Sequence, residues 1–183
     1  MEYFKALEYE ELTRETKYQG QRLGVEEVTY QTPKGVIKRE HVIGKDAVII
    51  LPITEDDKVI MVQEPRTALN EIILELPAGL MEEGEDPKEA ALRELEEETG
   101  YKAKTIDYLL EFYPAMGFSN EKLYVYVAYD FEKTKQHLDP EEDINVHLVP
   151  MKEVEEMVRH NEFKTPSINI AMMYYLLYKG KKN

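Results

Sequence analysis

The sequence predicts an α/β/α sandwich, a mixed β-sheet covered by few helices, with an antiparallel β-hairpin region at the N-terminus. Three observations carry this. Short apolar runs of strand length, alternating or continuous, fill the first two-thirds of the chain. Turn residues separate them, as at Thr32-Pro33-Lys34-Gly35. Helix start and stop signals, in contrast, cluster after residue 85.

In chain order, the runs predict strands over Gly24–Tyr30, Val36–Val42, Ala47–Pro52, Val59–Glu64, Ile72–Leu76, Ile106–Phe112, Leu123–Tyr129 and Ile144–Val149. The turn at 32–35 joins the first two into a hairpin. Glu55-Asp56-Asp57-Lys58 predicts a second hairpin turn between two strongly apolar strands. Asp86-Pro87-Lys88-Glu89 has the form of a helix start, with Asp as cap and Pro in the first turn, and Gly100 ends that helix. A second helix is expected over Met151–Asn161. A third starts at Thr165-Pro166 and runs into a basic tail, favourable at a helix C-terminus. A weak boundary near Lys45 divides the chain into residues 1–43 and 44–183. Asp130–Asp143 reads as a long acidic loop, a kind of segment that often carries function.

Composition narrows the function. The 37 acidic residues outnumber 23 basic ones, a formal charge of −14 that repels a duplex nucleic acid. No apolar run reaches membrane-spanning length, and the acidic N-terminus lacks the pattern of a secretory signal. The chain has no cysteine, which rules out disulfides, thiolate metal sites and thiol nucleophiles. A cytoplasmic protein that binds neither nucleic acid nor membrane fits these features.

Within the first helix, Glu94, Glu97 and Glu98 stand at i, i+3 and i+4 and share one face. Like charges so placed oppose one another, while Ala91, Leu92 and Leu95 form a neighbouring apolar stripe. The carboxylates therefore fall at the edge of a core, where a cation can collect them. Hard oxygen ligands select Mg²⁺, with Mn²⁺ as a substitute. A Glu-rich stretch alone is more often a solvated face. The flanking spacing argues otherwise: Gly79, Glu85, Arg93-Glu94-Leu95, Glu97-Glu98 and Gly100-Tyr101 fit the Nudix box, G-x5-E-x7-R-E-U-x-E-E-x-G-U, at all seven fixed positions. Only Tyr101, where an aliphatic residue is more usual, is atypical.

The chain thus resembles the Nudix hydrolases. That resemblance implies Glu94 and Glu98 as principal metal ligands, with Glu97 as a further ligand or a partner in water activation. It implies a metal contact from the Ala78 carbonyl, an orienting Glu85–Arg93 salt bridge, and backbone roles for Gly79 and Gly100. Residues 36–53, 59–66 and 113–128 extend the likeness to ADP-ribose pyrophosphatases. In that subgroup Arg66 matches a phosphate-contacting arginine, Arg39 one near the nucleotide, and Glu121 a glutamate near the terminal ribose and metal. The loop around 138–150 resembles one supplying a catalytic or metal-bound glutamate: Glu142 matches the metal-proximal acid. The usual base position is Pro140, which leaves Glu141 as candidate. Met116 stands where proline is usual, so the substrate stays open between ADP-ribose and a nucleotide sugar such as GDP-mannose. A sensor without catalysis is a further alternative. The resemblance also implies a homodimer in which residues 1–43 form the interface.

Overall fold

The computed structural model describes residue 5 and residues 7–179, and these form two compact units. One comprises the described residues up to Lys45 together with Tyr113–Lys122. The other comprises Asp46–Phe112 and the described residues from Leu123 onward. The first residues of the segment read as lacking a signal, and the end of the basic tail, lie outside the described residues.

The smaller unit is an antiparallel sheet of β1 (Glu10–Gln19), β2 (Leu23–Thr32) and β3 (Gly35–Gly44), in the order β1-β2-β3. The expected turn is present. The Thr32 hydroxyl accepts from the Lys34 N–H at 3.1 Å and donates to the Gly35 carbonyl at 2.9 Å. Gly35 takes φ 111°, a conformation that favours glycine. Strand β1 was not anticipated. Every residue in it is exposed, so it has no alternation to read. Backbone pairing and charges hold it instead, Arg14 bonding Glu11 and Glu26. Segment 113–122 joins this unit at β3: the Val42 N–H donates to the Phe118 carbonyl at 2.8 Å.

The larger unit contains β4 (Ala47–Pro52), β5 (Lys58–Arg66), β6 (Glu71–Glu75), β7 (Ala78–Leu80), α1 (Pro87–Thr99), β8 (Tyr101–Phe112), β9 (Leu123–Lys133), β10 (Asn145–Pro150), α2 (Met151–Arg159) and α3 (Pro166–Lys179). One sheet has the order β7-β4-β9-β8 and is mixed, since β4 and β9 run parallel while the other pairs are antiparallel. A second, antiparallel sheet has the order β10-β5-β6. All six residues of β4 are buried, the reason they read as one continuous apolar run. Ile49 and Leu51 share a cluster with Val125, Val127, Ile168 and Met172. Val48 and Ile50 share another with Ala90, Ala91 and Leu95 of α1. The central strand thus has core on both faces, as an α/β/α sandwich requires.

The acidic turn at 55–58 corrects one expectation. It is a tight turn, with Asp57 at φ 59° and the Thr54 N–H donating to the Lys58 carbonyl at 2.8 Å. Yet β4 and β5 are not a hairpin, because they belong to different sheets and only the Ile53–Val59 bridge links them. Strand β4 is already paired on both sides, with β7 and β9, and has no free edge for β5. Strand β8 also starts at Tyr101, ahead of the expected Ile106, because its early residues pair with the end of β9.

Candidate active site

Helix α1 forms for reasons written in its ends. The Asp86 side chain accepts from the Lys88 N–H at 2.9 Å, and Pro87 opens the helix. Gly100 closes it at φ 68°, its N–H donating to the Glu96 carbonyl at 2.9 Å. A side chain at 100 would also press on the backbone of Lys135 and Gln136. Ala90, Ala91 and Leu95 are fully buried against the mixed sheet, which fixes the rotation of the helix.

That rotation brings the carboxylates to β7. Glu98 is only 4% exposed, and its carboxylate accepts from the Ala78 N–H at 3.0 Å. Burial pushes its pKa up to about 9, and the nearby charges of Glu94, Glu64 and Glu142 add to the effect. Glu94 is also raised, first by burial, although Arg93 opposes the shift. Gly79 lies against the Glu94 carboxylate so closely that a Cβ there would overlap it.

Arg93 neutralises part of the cluster. Its Nε and Nη2 donate to the two oxygens of Glu85, each at 2.9 Å, a bidentate fork. Its Nη1 donates to Glu94 at 2.7 Å and Glu97 at 3.0 Å. Arg93 holds the Glu85 carboxyl below its ordinary value, and these partners raise the guanidinium in turn, Glu85 most strongly.

The acidic loop approaches the same place. The His137 N–H donates to the Glu97 carbonyl at 2.9 Å. The Glu142 side chain accepts from the Asp139 N–H at 2.9 Å, and its charge acts on both Glu94 and Glu98. Glu141 is exposed on the same turn. Arg66 on β5 bonds Glu75 at 2.8 Å and Glu64 at 2.5 Å. Burial works against its charge, but Glu75, Glu64 and Glu98 more than offset this and its pKa is raised. Arg39 and Glu121 belong to the smaller unit. Arg39 is exposed on β3 and donates to the Lys38 carbonyl at 2.8 Å, and the Glu121 N–H donates to the Ser119 hydroxyl at 3.2 Å.

The structure therefore gathers Ala78, Gly79, Glu85, Arg93, Glu94, Glu97, Glu98 and Glu142 in the larger unit. Among the described residues, no three carboxylate or imidazole groups already converge as a metal cage, since Arg93 draws Glu94 and Glu97 to itself. The donor chemistry still fits a divalent ion. A buried Glu98 carboxylate with three other carboxylates acting on it must hold either a proton or a cation. Glu64 and Glu75 were missed by sequence reasoning. The available signal was strand periodicity, which puts Glu64 on the same face of β5 as Arg66.

Comparison with known proteins decides the family. The NUDIX domain model matches residues 44–168. The chain belongs to the Nudix family. It is a Nudix hydrolase by that membership. The ADP-ribose pyrophosphatase of Bacillus subtilis (strain 168) is 35% identical over 94% of this chain and 95% of its own length. The methanol dehydrogenase activator of Bacillus methanolicus is 33% identical over 96% and 97%. A crystal structure of an ADP compounds hydrolase superposes with a TM-score of 0.83 at 26% identity, covering 97% of this Nudix chain and 98% of that one. No helix among the described residues is long and apolar enough to cross a membrane.

Proposed function

We propose that the protein hydrolyses the pyrophosphate linkage of ADP-ribose to AMP and ribose 5-phosphate, with Mg²⁺ as its metal and Mn²⁺ as a substitute. The observation that carries this reading is the full-length likeness to an ADP-ribose pyrophosphatase, joined to the carboxylate cluster on α1. Glu94, Glu98 and Glu142 hold the ion, with Glu97 and the Ala78 carbonyl as further donors. When bound, a divalent ion neutralises phosphate charge and makes water a better nucleophile.

The remaining work falls to the protein's own groups. Gly79 lets Glu94 reach its place, and Arg93, clamped by Glu85, orients the Glu94 and Glu97 carboxylates. Arg66 binds phosphate oxygens in bidentate fashion. A carboxylate of Glu97, Glu141 or Glu142 takes the proton of the attacking water. The water oxygen bonds to one phosphorus, and the bridging oxygen leaves with the other phosphate. Arg39 and Glu121 contact the nucleotide and the terminal ribose.

The reading includes a homodimer built on residues 1–43. It draws support from the wholly exposed β1 and from exposed Leu12, Tyr18, Leu23 and Val36 in the same unit, apolar surface that association would cover.

A panel of ADP-ribose, GDP-mannose and related compounds, incubated with Mg²⁺, tests the reading by product identity. AMP and ribose 5-phosphate are expected from ADP-ribose. Release of GMP from GDP-mannose alone would reassign the substrate, and tight ADP-ribose binding without turnover would make the protein a sensor. A second reading, activation of a dehydrogenase, rests on the likeness to the methanol dehydrogenase activator. Adding the chain to a methanol dehydrogenase and following its turnover tests that reading directly.

A further inference from the structure

A cleft of about 380 Å³ opens at the C-terminal end of α1, lined in part by Tyr101, Lys133, Thr134, Gln136, Val146 and Leu148. None of these six belongs to the carboxylate cluster or to the substrate residues assigned above. Their chemistry is mixed in the way of a small-molecule site, with an apolar wall and a few polar groups. Leu148, 45% exposed, supplies apolar surface to the wall of the cleft. The Thr134 hydroxyl is buried in the wall without a hydrogen-bond partner. Turning it toward a ligand oxygen gains a bond and breaks none. Lys133 holds its ammonium 5.9 Å from the centre of the Tyr101 ring, so a cation and an aromatic surface stand together.

The cleft is also wired to the active site. The Thr134 N–H donates to the Gly100 carbonyl at 2.8 Å, at the end of the metal helix. The Gln136 side chain donates to the Glu98 carbonyl at 2.7 Å and to the Ile144 carbonyl at 3.4 Å. It thereby spans the last turn of α1 and the residue that closes the acidic loop carrying Glu141 and Glu142.

We propose that this cleft is a second, regulatory site for a nucleoside monophosphate. The phosphate faces Lys133 and Thr134, and the base lies against Tyr101 and Leu148. Filling it tightens the segment 134–137 on α1 and so biases the loop that bears Glu142.

The choice of AMP as probe rests on the reading above, in which AMP is a product. Binding is therefore measured without turnover. The ¹⁵N-labelled full-length protein is titrated with AMP in EDTA, and amide shifts are followed. Shifts are expected at residues 133–136, 146 and 148. Lys133→Glu should weaken binding about fivefold, as loss of one exposed charge contact does, and Leu148→Asp should weaken it similarly. Arg66→Ala should leave these shifts unchanged, which separates the cleft from the active site. Shifts confined to the surroundings of Arg66 and Glu94 would overturn the proposal. So would Lys133→Glu and Leu148→Asp proteins that titrate as the wild type, or inorganic phosphate giving the same shifts at equal affinity. Failure of the substrate reading shows in the product panel and leaves this titration untouched.

Discussion

Gly79 and Glu94 are in such close contact that any β-carbon at position 79 would occupy the space of the Glu94 carboxylate. The constraint falls on the far end of a flexible side chain, so Gly79→Ala should fold. Glu94 must then swing away from β7, carrying a ligand out of the site. Turnover of ADP-ribose should fall about 100-fold, the scale of a misplacement near 1 Å, and Mg²⁺ affinity should fall with it. Steady-state kinetics with a calorimetric Mg²⁺ titration check both. A variant within a few-fold of wild type on each would mean that the position of Glu94 is unimportant.

The Arg93 fork leads to a stability prediction. Lysine offers one nitrogen and cannot bridge Glu85 while also serving Glu94 and Glu97. Arg93→Lys should lower stability by about 1 kcal/mol in EDTA, the low end for lost charged hydrogen bonds because the site is partly solvated. Thermal unfolding of both proteins measures this, and equal midpoints would contradict it.

Glu98 makes the metal-free protein sensitive to pH. Its folded pKa of about 9 lies above the ordinary 4.5, so the folded chain keeps a proton that the unfolded chain has lost. The corresponding stability is fully present below about pH 4.5 and is lost as pH rises toward 9. Unfolding in EDTA across pH 5–9, compared with Glu98→Gln, should show the wild type alone losing stability through this group. Mg²⁺ binding at neutral pH should release a proton, visible as a buffer-dependent heat. Heats independent of the buffer would show that Glu98 is already ionised.

Helix α1 was legible in the sequence because its signals are local. The Asp86 cap, the Gly100 stop and the spacing of its glutamates lie within a few residues of what they specify. The buried strands were legible too, since Ala47–Pro52 is apolar throughout. Strand β1 was not, because its order comes from a partner strand and from charges on an exposed surface. The false hairpin at 55–58 has a similar origin. A tight turn specifies a reversal of the chain, not which sheet the next strand joins. Likewise the resemblance singled out Arg66 as a phosphate-binding cation without revealing Glu75, which reaches it only through the pairing of β5 with β6.

Arg66 is held in reserve by two acids, Glu64 and Glu75, and this shapes what its loss should do. Arg66→Ala removes the phosphate contact and leaves two carboxylates facing each other. The KM for ADP-ribose should rise about 10-fold or more, the worth of one charge-assisted contact. The double change Arg66→Ala with Glu75→Gln should recover thermal stability but not KM. Recovery of both would assign Arg66 a purely structural part.

Glu142 and Glu141 are adjacent on one turn, yet their surroundings separate them. Both side chains are exposed, but the charge of Glu142 acts on Glu94 and Glu98, behind burial and nearer groups, whereas that of Glu141 is not among the main influences on either. A carboxylate that acts on two metal-ligand candidates is placed to share their ion or to take a proton from water beside it. Glu142→Gln should therefore lower kcat about 100-fold, within the range of a lost general base, with KM little changed. Glu141→Gln should stay within a few-fold. The two variants are compared at saturating Mg²⁺ and at tenfold less. Partial rescue of Glu142→Gln by the higher concentration would make it a metal ligand first, while loss of kcat at both would make it the base. A large loss from Glu141→Gln with Glu142→Gln near wild type would reverse the assignment, and the turn would then have to shift by one residue when substrate binds.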